Sequence, residues 1–337
     1  MSERRPAALG RALVTHLRGA LEAPRLELAE PPAVLSGGFD TEIFAIRLRG
    51  APPAFSRPLV LRLLRPHHDA VMVVREQATQ NTVADQGYPA PRVLLASADA
   101  TPLGAPFLVM ERVGGASLIA GGVLGMARVL ADLQLRLHAL DAAPLRRALG
   151  AAGTFDGYLD GLGRRIDEAG LTGLASLLGW LRACRPPPTG AAAICHGDLH
   201  PQNVLVEQGV VTGVLDWPNA LVADPLFDVG STLNLLRFVP AGIIPLSPPL
   251  RWLAPLGQPL LARQYLARYR AQRPIDDARL AYYRLAAGLR ALVRAGEVRR
   301  RSAGALPNGL DRSPYAARLL AHAGRVSGLA VTLPCEH

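Results

Sequence analysis

The stretch at residues 194–206, ICHGDLHPQNVLV, constrains this chain more than any other. Asp198 and Asn203 stand five residues apart on a loop too rich in Gly, His and Pro to be a helix. An apolar strand pattern begins at once with Val204, and a second, at 210–215, runs up to Asp216. A loop followed by a hairpin therefore presents three oxygen-bearing side chains in a fixed order. Oxygen ligands of this kind, few in number, are what a hard cation such as Mg²⁺ takes. Read without further context, the same Asp and Asn could serve only to close Asx turns.

His196-x-Asp198 followed by Asn203, with an acidic residue at the end of the next hairpin, is the spacing of a phosphoryl-transfer loop. The wording HGDLHPQN, then Leu215-Asp216-Trp217, resembles the aminoglycoside/choline-kinase-type phosphotransferase family. Protein kinases carry H-R-D and D-F-G instead, and no A-P-E segment follows here. The stretch Asp224-Pro225-Leu226-Phe227-Asp228 resembles the family's D-P-x-x-D, whose second Asp braces the loop. The resemblance implies Asp198 as the base for an attacking hydroxyl, and Asn203 and Asp216 as Mg²⁺ ligands. It also implies ATP as phosphoryl donor and a small-molecule hydroxyl compound as acceptor. The fold implied is α+β and bilobed, protein-kinase-like, with a small antiparallel-sheet N-lobe at 1–113 and a larger, mainly helical C-lobe at 114–337.

The residues ahead of the loop agree with a small antiparallel sheet. Leu9, Leu13, Leu17 and Leu21 recur at helical spacing before Pro24. Strand patterns follow at 33–35, 43–48, 59–64, 89–95 and 106–110, with a helix at 70–86 between the third and fourth. Arg62 sits inside the apolar run LVLRLL, where an unpaired charge is costly, so it calls for a partner; Glu76 on the next helix is the candidate. A solvent-facing Arg62 on an edge strand is the alternative. By resemblance, Arg62 occupies the place of a phosphate-holding Lys, and the substitution leaves open how ATP is positioned. Ser36, Gly37 and Gly38 offer a glycine turn that brings amides to phosphates, or simply a hairpin turn. Residues 107–113 resemble the hinge strand that meets adenine, with main-chain groups near Glu111 and Val113.

Beyond Gly114 and Gly115, expected as a hinge, helical patterns dominate: 123–140, 159–166, 174–181, 261–270 and 280–299. His138 reads as a structural hydrogen-bonding group and His196 as a loop-shaping one. His200 could touch substrate or hold the loop.

The net charge of +10 comes entirely from arginine on the basic side. The arginines are scattered rather than banded, so a nucleic-acid partner is not expected. No run reaches the ~18 apolar residues of a spanning helix, so no membrane partner is expected either. Three cysteines without metal or disulfide spacing fit reduced thiols. The expected setting is soluble and cytoplasmic.

Residues 229–275 contain no Asp or Glu but carry six arginines, from Arg237 to Arg273. In the family this part of the second lobe builds much of the acceptor pocket, so a polycationic acceptor is not expected. Carboxylates from elsewhere, such as Asp156, Asp160, Asp167 or Asp277, would be the counter-case. The other readings of the chain are a protein-kinase-like enzyme and a nucleotide-binding regulatory module without catalysis.

Overall fold

The computed structural model describes residues 4–35, 41–64, 70–121, 125–238, 248–301 and 314–333. The chain forms two compact units: Met1–Gly115 with Leu205–Pro218, and Ala116–Val204 with Asn219–His337. The single cut expected after residue 113 thus becomes three. The hairpin after the Asp198 loop belongs with the first unit because its second strand is tied there. Val214 donates its N–H to Pro89 O (2.6 Å), and Thr212 Oγ1 donates to Gly114 O (2.7 Å).

The first unit is built on a five-stranded antiparallel sheet. Its spatial order is Ala33–Val34, Thr41–Ile46, Leu59–Leu64, Phe107–Glu111, Val93–Ser97. Side chains alternate across a pleated strand, and the two faces bury different partners. Leu59, Leu61, Leu63, Phe107 and Val109 pack on Leu13 and Leu17 of the helix Arg4–Ala20. The opposite face puts Leu64, Leu108 and Met110 against Val73 of the helix Val71–Asp85. Arg62, two residues from Leu64, shares that second face. Its place beneath the 71–85 helix follows from the pleat alone.

Among the described residues the second unit is mainly helical, with the antiparallel pair Ala193–Cys195 and Leu221–Ala223 and the short strand Ala116–Ser117. Its centre is the helix Pro225–Phe238, buried along most of its length and packed on Pro248–Arg270 and Asp277–Arg301. The 248–270 helix begins well before the expected residue 261. Pro248 and Pro249 open it, where the missing N–H costs nothing. Among the described residues, no helix is long and apolar enough to cross a membrane.

Gly230 sets how closely two of these helices approach. A Cβ there would lie 2.8 Å from the main-chain N of Arg284 and 2.9 Å from its Cα. Neither atom can move without displacing the 277–301 helix. Gly230→Ala is therefore expected to destabilise the fold by about 1–3 kcal/mol, measured by thermal unfolding. Gly179→Ala is the control. Gly179 is exposed in the helix Thr172–Ala183 with nothing within 4 Å of an added Cβ, and the change is expected to be neutral or stabilising by up to about 1 kcal/mol.

Candidate active site

In the second unit the loop from His196 to Asn203 is fixed from below by one buried acid. Asp228 is wholly buried on the first turn of the 225–238 helix. It accepts the N–H of Gly197 (2.7 Å) and of His196 (3.1 Å). His138 Nε2 lies 3.1 Å from Oδ2, the oxygen that also accepts the His196 N–H, and His138 Nδ1 meets the Tyr269 hydroxyl at 2.8 Å. Burial alone would raise the Asp228 carboxyl. The His138 bond, the neighbouring His charges and the Gly197 amide outweigh it and hold the carboxyl below its ordinary range. Two more contacts follow one turn along on the same helix face. Ser231 Oγ donates to Gly197 O (2.7 Å) and Thr232 Oγ1 to Leu199 O (2.9 Å).

Gly197 is required where it stands. Its φ is +75°, and a Cβ would lie 2.6 Å from Asn219 O. That tight turn delivers Asp198, whose side chain is about a quarter exposed. Its own N–H bonds His196 Nδ1 (3.2 Å), so His196 shapes the loop. Asn203 Nδ2 donates to Asp198 O (3.0 Å). Around the Asp198 carboxylate stand Asn219 Nδ2 and Arg290 Nη2, each at 3.4 Å. The same Arg290 nitrogen donates to Gly197 O at 2.8 Å. His200 Nδ1 accepts from Gln202 N–H (3.3 Å), a cap on the turn that follows.

In the first unit Arg62, Glu76 and Asp216 come together. Arg62 Nη1 lies 2.5 Å from Glu76 Oε1 and Nη2 lies 3.1 Å from Asp216 Oδ1. Its Nε donates to Thr41 Oγ1 at 3.3 Å. Burial raises the Glu76 carboxyl to about 7; Arg62 pulls against that rise, while Asp216 adds to it. Asp216 keeps 41% of its side chain exposed and takes a left-handed φ of +68°, a costly conformation for a non-glycine residue.

Glu111 ends the strand Phe107–Glu111, and Val113 follows two residues on. The Glu111 N–H is already bonded to Arg92 O (2.9 Å), and Arg112 N–H to Pro58 O (3.0 Å). The Glu111 side chain pairs with Arg57 at 2.6 Å. Ser36, Gly37 and Gly38 lie outside the described residues. Sequence reasoning missed Asn219, Ser231, Thr232 and Arg290. The polar pair Ser231-Thr232, at i+3 and i+4 from Asp228 inside an apolar helix, was a usable signal. Arg290 carried none, being one arginine among many.

Removing one partner of a buried ion pair leaves the other charge uncompensated. Arg62→Met is expected to cost about 3–5 kcal/mol at pH 8, where the wild-type carboxyl is charged, and Glu76→Leu less, because Asp216 still pairs with Arg62. The double variant is expected to fall well short of the sum. Denaturant unfolding of the four proteins measures this, and additive losses would contradict the pairing.

The chain matches the description "Phosphotransferase enzyme family" over residues 33–283. It is 30% identical over 263 residues to an aminoglycoside 3'-phosphotransferase of Streptomyces fradiae, covering 73% of this chain and 90% of that one. A solved structure of a putative aminoglycoside phosphotransferase from Ralstonia eutropha superposes with a TM-score of 0.62, at 20% identity, over 94% of this chain and 98% of that one. A thermostable mutant of aminoglycoside phosphotransferase APH(4)-Ia, in a ternary complex with AMP-PNP and hygromycin B, superposes with a TM-score of 0.61 at 18% identity, over 94% and 98%. The fold is thus the kinase-like one of these enzymes, and the chain belongs to the phosphotransferase enzyme family.

Proposed function

We propose that this chain is an ATP-dependent small-molecule kinase. It would move the γ-phosphoryl group of ATP onto a hydroxyl of an acceptor that is not a polycationic aminoglycoside. The observation that carries the reading is the setting of Asp198. Its loop is tied to a buried acid, and its carboxylate is flanked by Asn219 and Arg290 and left partly open to solvent. As the acceptor oxygen bonds to phosphorus and the bond to the β-phosphate oxygen breaks, the hydroxyl proton passes to Asp198. A positioned base of this kind contributes about 10²–10⁴ in rate.

The oxygen donors suit Mg²⁺. Asn203 spends its amide nitrogen on Asp198 O, which leaves its oxygen as the ligand atom. Asp216 is a half-open carboxylate with one oxygen on Arg62. When bound, Mg²⁺ supplies neutralising charge to the β- and γ-phosphate oxygens. Arg62 contributes a fixed cation in the first unit. A phosphate contact by its Nη2 would exchange with the Asp216 bond, because Nη1 is committed to Glu76. Of the hinge groups, Val113 is the better main-chain candidate for adenine, since the Glu111 N–H is already used.

A polycationic acceptor needs free carboxylates, and of the second unit's candidates Asp167 is exposed without an ion pair among the described residues, while the others are engaged. Asp156 is paired with Arg185, Asp160 with Arg182 and Asp277 with Arg270. Asp132 and Asp224 are likewise paired with Arg268 and Arg279. Neutral or anionic hydroxyl compounds suit such a surface better.

The test is a turnover screen of aminoglycosides, amino alcohols, sugars and hydroxy acids with Mg·ATP, run on wild type and Asp198→Asn. One of the last three classes is expected to be phosphorylated, with kcat falling about 10²–10⁴-fold in the variant while ATP still binds. Efficient phosphorylation of kanamycin-like compounds alone would overturn the acceptor class. A variant with wild-type kcat would remove Asp198 from the chemistry.

A further inference from the structure

The second unit holds a cavity of about 220 Å³ between the helices Pro225–Phe238, Pro248–Arg270 and Asp277–Arg301. Leu233, Leu266 and Leu280 supply apolar wall; Arg237, Arg263 and Arg284 supply cations. Asp277 is the acid in the lining, and it is paired with Arg270 at 2.5 Å. Arg237 and Arg263 have no ion pair among the described residues. An adjoining hollow of about 290 Å³ shares Arg237 and adds Arg318.

Arg284 is the informative member. Its Nε donates to Asn234 Oδ1 at 3.3 Å, and its guanidinium lies 5.6 Å over the Phe238 ring. Its Nη2 is buried with no hydrogen-bond partner among the described residues, and so is Nε2 of the adjacent buried His322. Burial, then the like charges of Arg237 and Arg325, lower the Arg284 guanidinium to about 10. His322 is lowered to about 4, by burial and then by Arg284, Arg325 and Arg237. A guanidinium placed among like charges, with a donor left over, is unfavourable unless an anion joins it. The one carboxylate in the lining, Asp277, is an exposed group already paired with Arg270. The catalytic loop is not the explanation. Ser231 and Thr232 hold that loop, whereas Leu233 and Arg237 face the cavity from another side of the same helix: Leu233 is about 200° round from Ser231.

We propose that this cavity is a binding site for a small organic anion. A carboxylate or phosphate monoester would lie against Arg284 and Arg237, and its apolar body against Leu233, Leu266 and Leu280. Bidentate recognition of either anion is what a guanidinium fork favours. The site lies apart from the loop that carries Asp198. It is joined to that loop through the 225–238 and 277–301 helices, so an occupant bears on the elements that hold Asp198.

The experiment titrates the full chain with phenyl phosphate, benzoate and neutral benzyl alcohol, by calorimetry and thermal unfolding. Wild type, Arg284→Met and Arg237→Met are compared. Both anions are expected to bind saturably to wild type and raise its Tm, and benzyl alcohol is not. Arg237→Met is expected to weaken anion binding about tenfold, and Arg284→Met to abolish it. Should Arg284→Met fail to fold, the exposed Arg237→Met decides. Three results would each overturn the proposal: no saturable binding of either anion at millimolar concentration, equal binding of benzyl alcohol, or anion binding unchanged by the arginine variants. The last would place the anions elsewhere, at the nucleotide-phosphate group around Arg62.

Discussion

The site in the second unit depends on one ionised carboxylate held in the interior. Asp228 is inaccessible to water, yet its environment keeps it charged. Two consecutive main-chain amides and a histidine give it partners of the right polarity, and charge-assisted bonds of this kind are stronger than neutral ones. Had any one been missing, a buried charge would stand uncompensated at a cost of several kcal/mol. The amides belong to His196 and Gly197, so what satisfies Asp228 also fixes the turn that presents Asp198. Chemistry and stability are tied through the same bonds.

The helix that carries Asp228 does more than deliver it. One side, through Ser231 and Thr232, bonds the carbonyls of Gly197 and Leu199. Another, through Gly230 and Asn234, lies hard against Arg284. The 277–301 helix in turn returns Arg290 to Gly197 and Asp198. Asp198 is thus held by two helices that are themselves packed with little slack. The cationic cavity sits on the same pair.

Much of this was legible in the chain. The 194–229 stretch carries its residues in a spacing that local geometry alone nearly dictates, and the structure brings His196, Asp198, Asn203 and Asp228 together. Arg62 and Glu76 could be paired because strand alternation puts Arg62 on the face the next helix covers. Arg290 was not legible, since it reaches the loop across 92 residues and looks like its many neighbours. Nor was the grouping of the 205–218 hairpin, which rests on main-chain bonds that side-chain patterns do not report. The early start of the 248–270 helix was hidden by its prolines: Pro248 and Pro249 stand where a helix begins, whereas Pro255 and Pro259 lie inside it and read as breakers.

The most direct test of the Asp228 account is amide hydrogen exchange in the loop, read on a peptide spanning residues 194–203. In wild type the Gly197 and His196 amides are expected to be protected. In Asp228→Asn the neutral amide no longer offers two charged acceptor oxygens, and exchange is expected to speed by at least about tenfold, as a loss of about 1.4 kcal/mol would give. That change should be confined to this peptide and to those contacting it. Unchanged exchange in the loop of a folded Asp228→Asn variant would contradict the claim that this carboxylate is what holds the Asp198 turn in place.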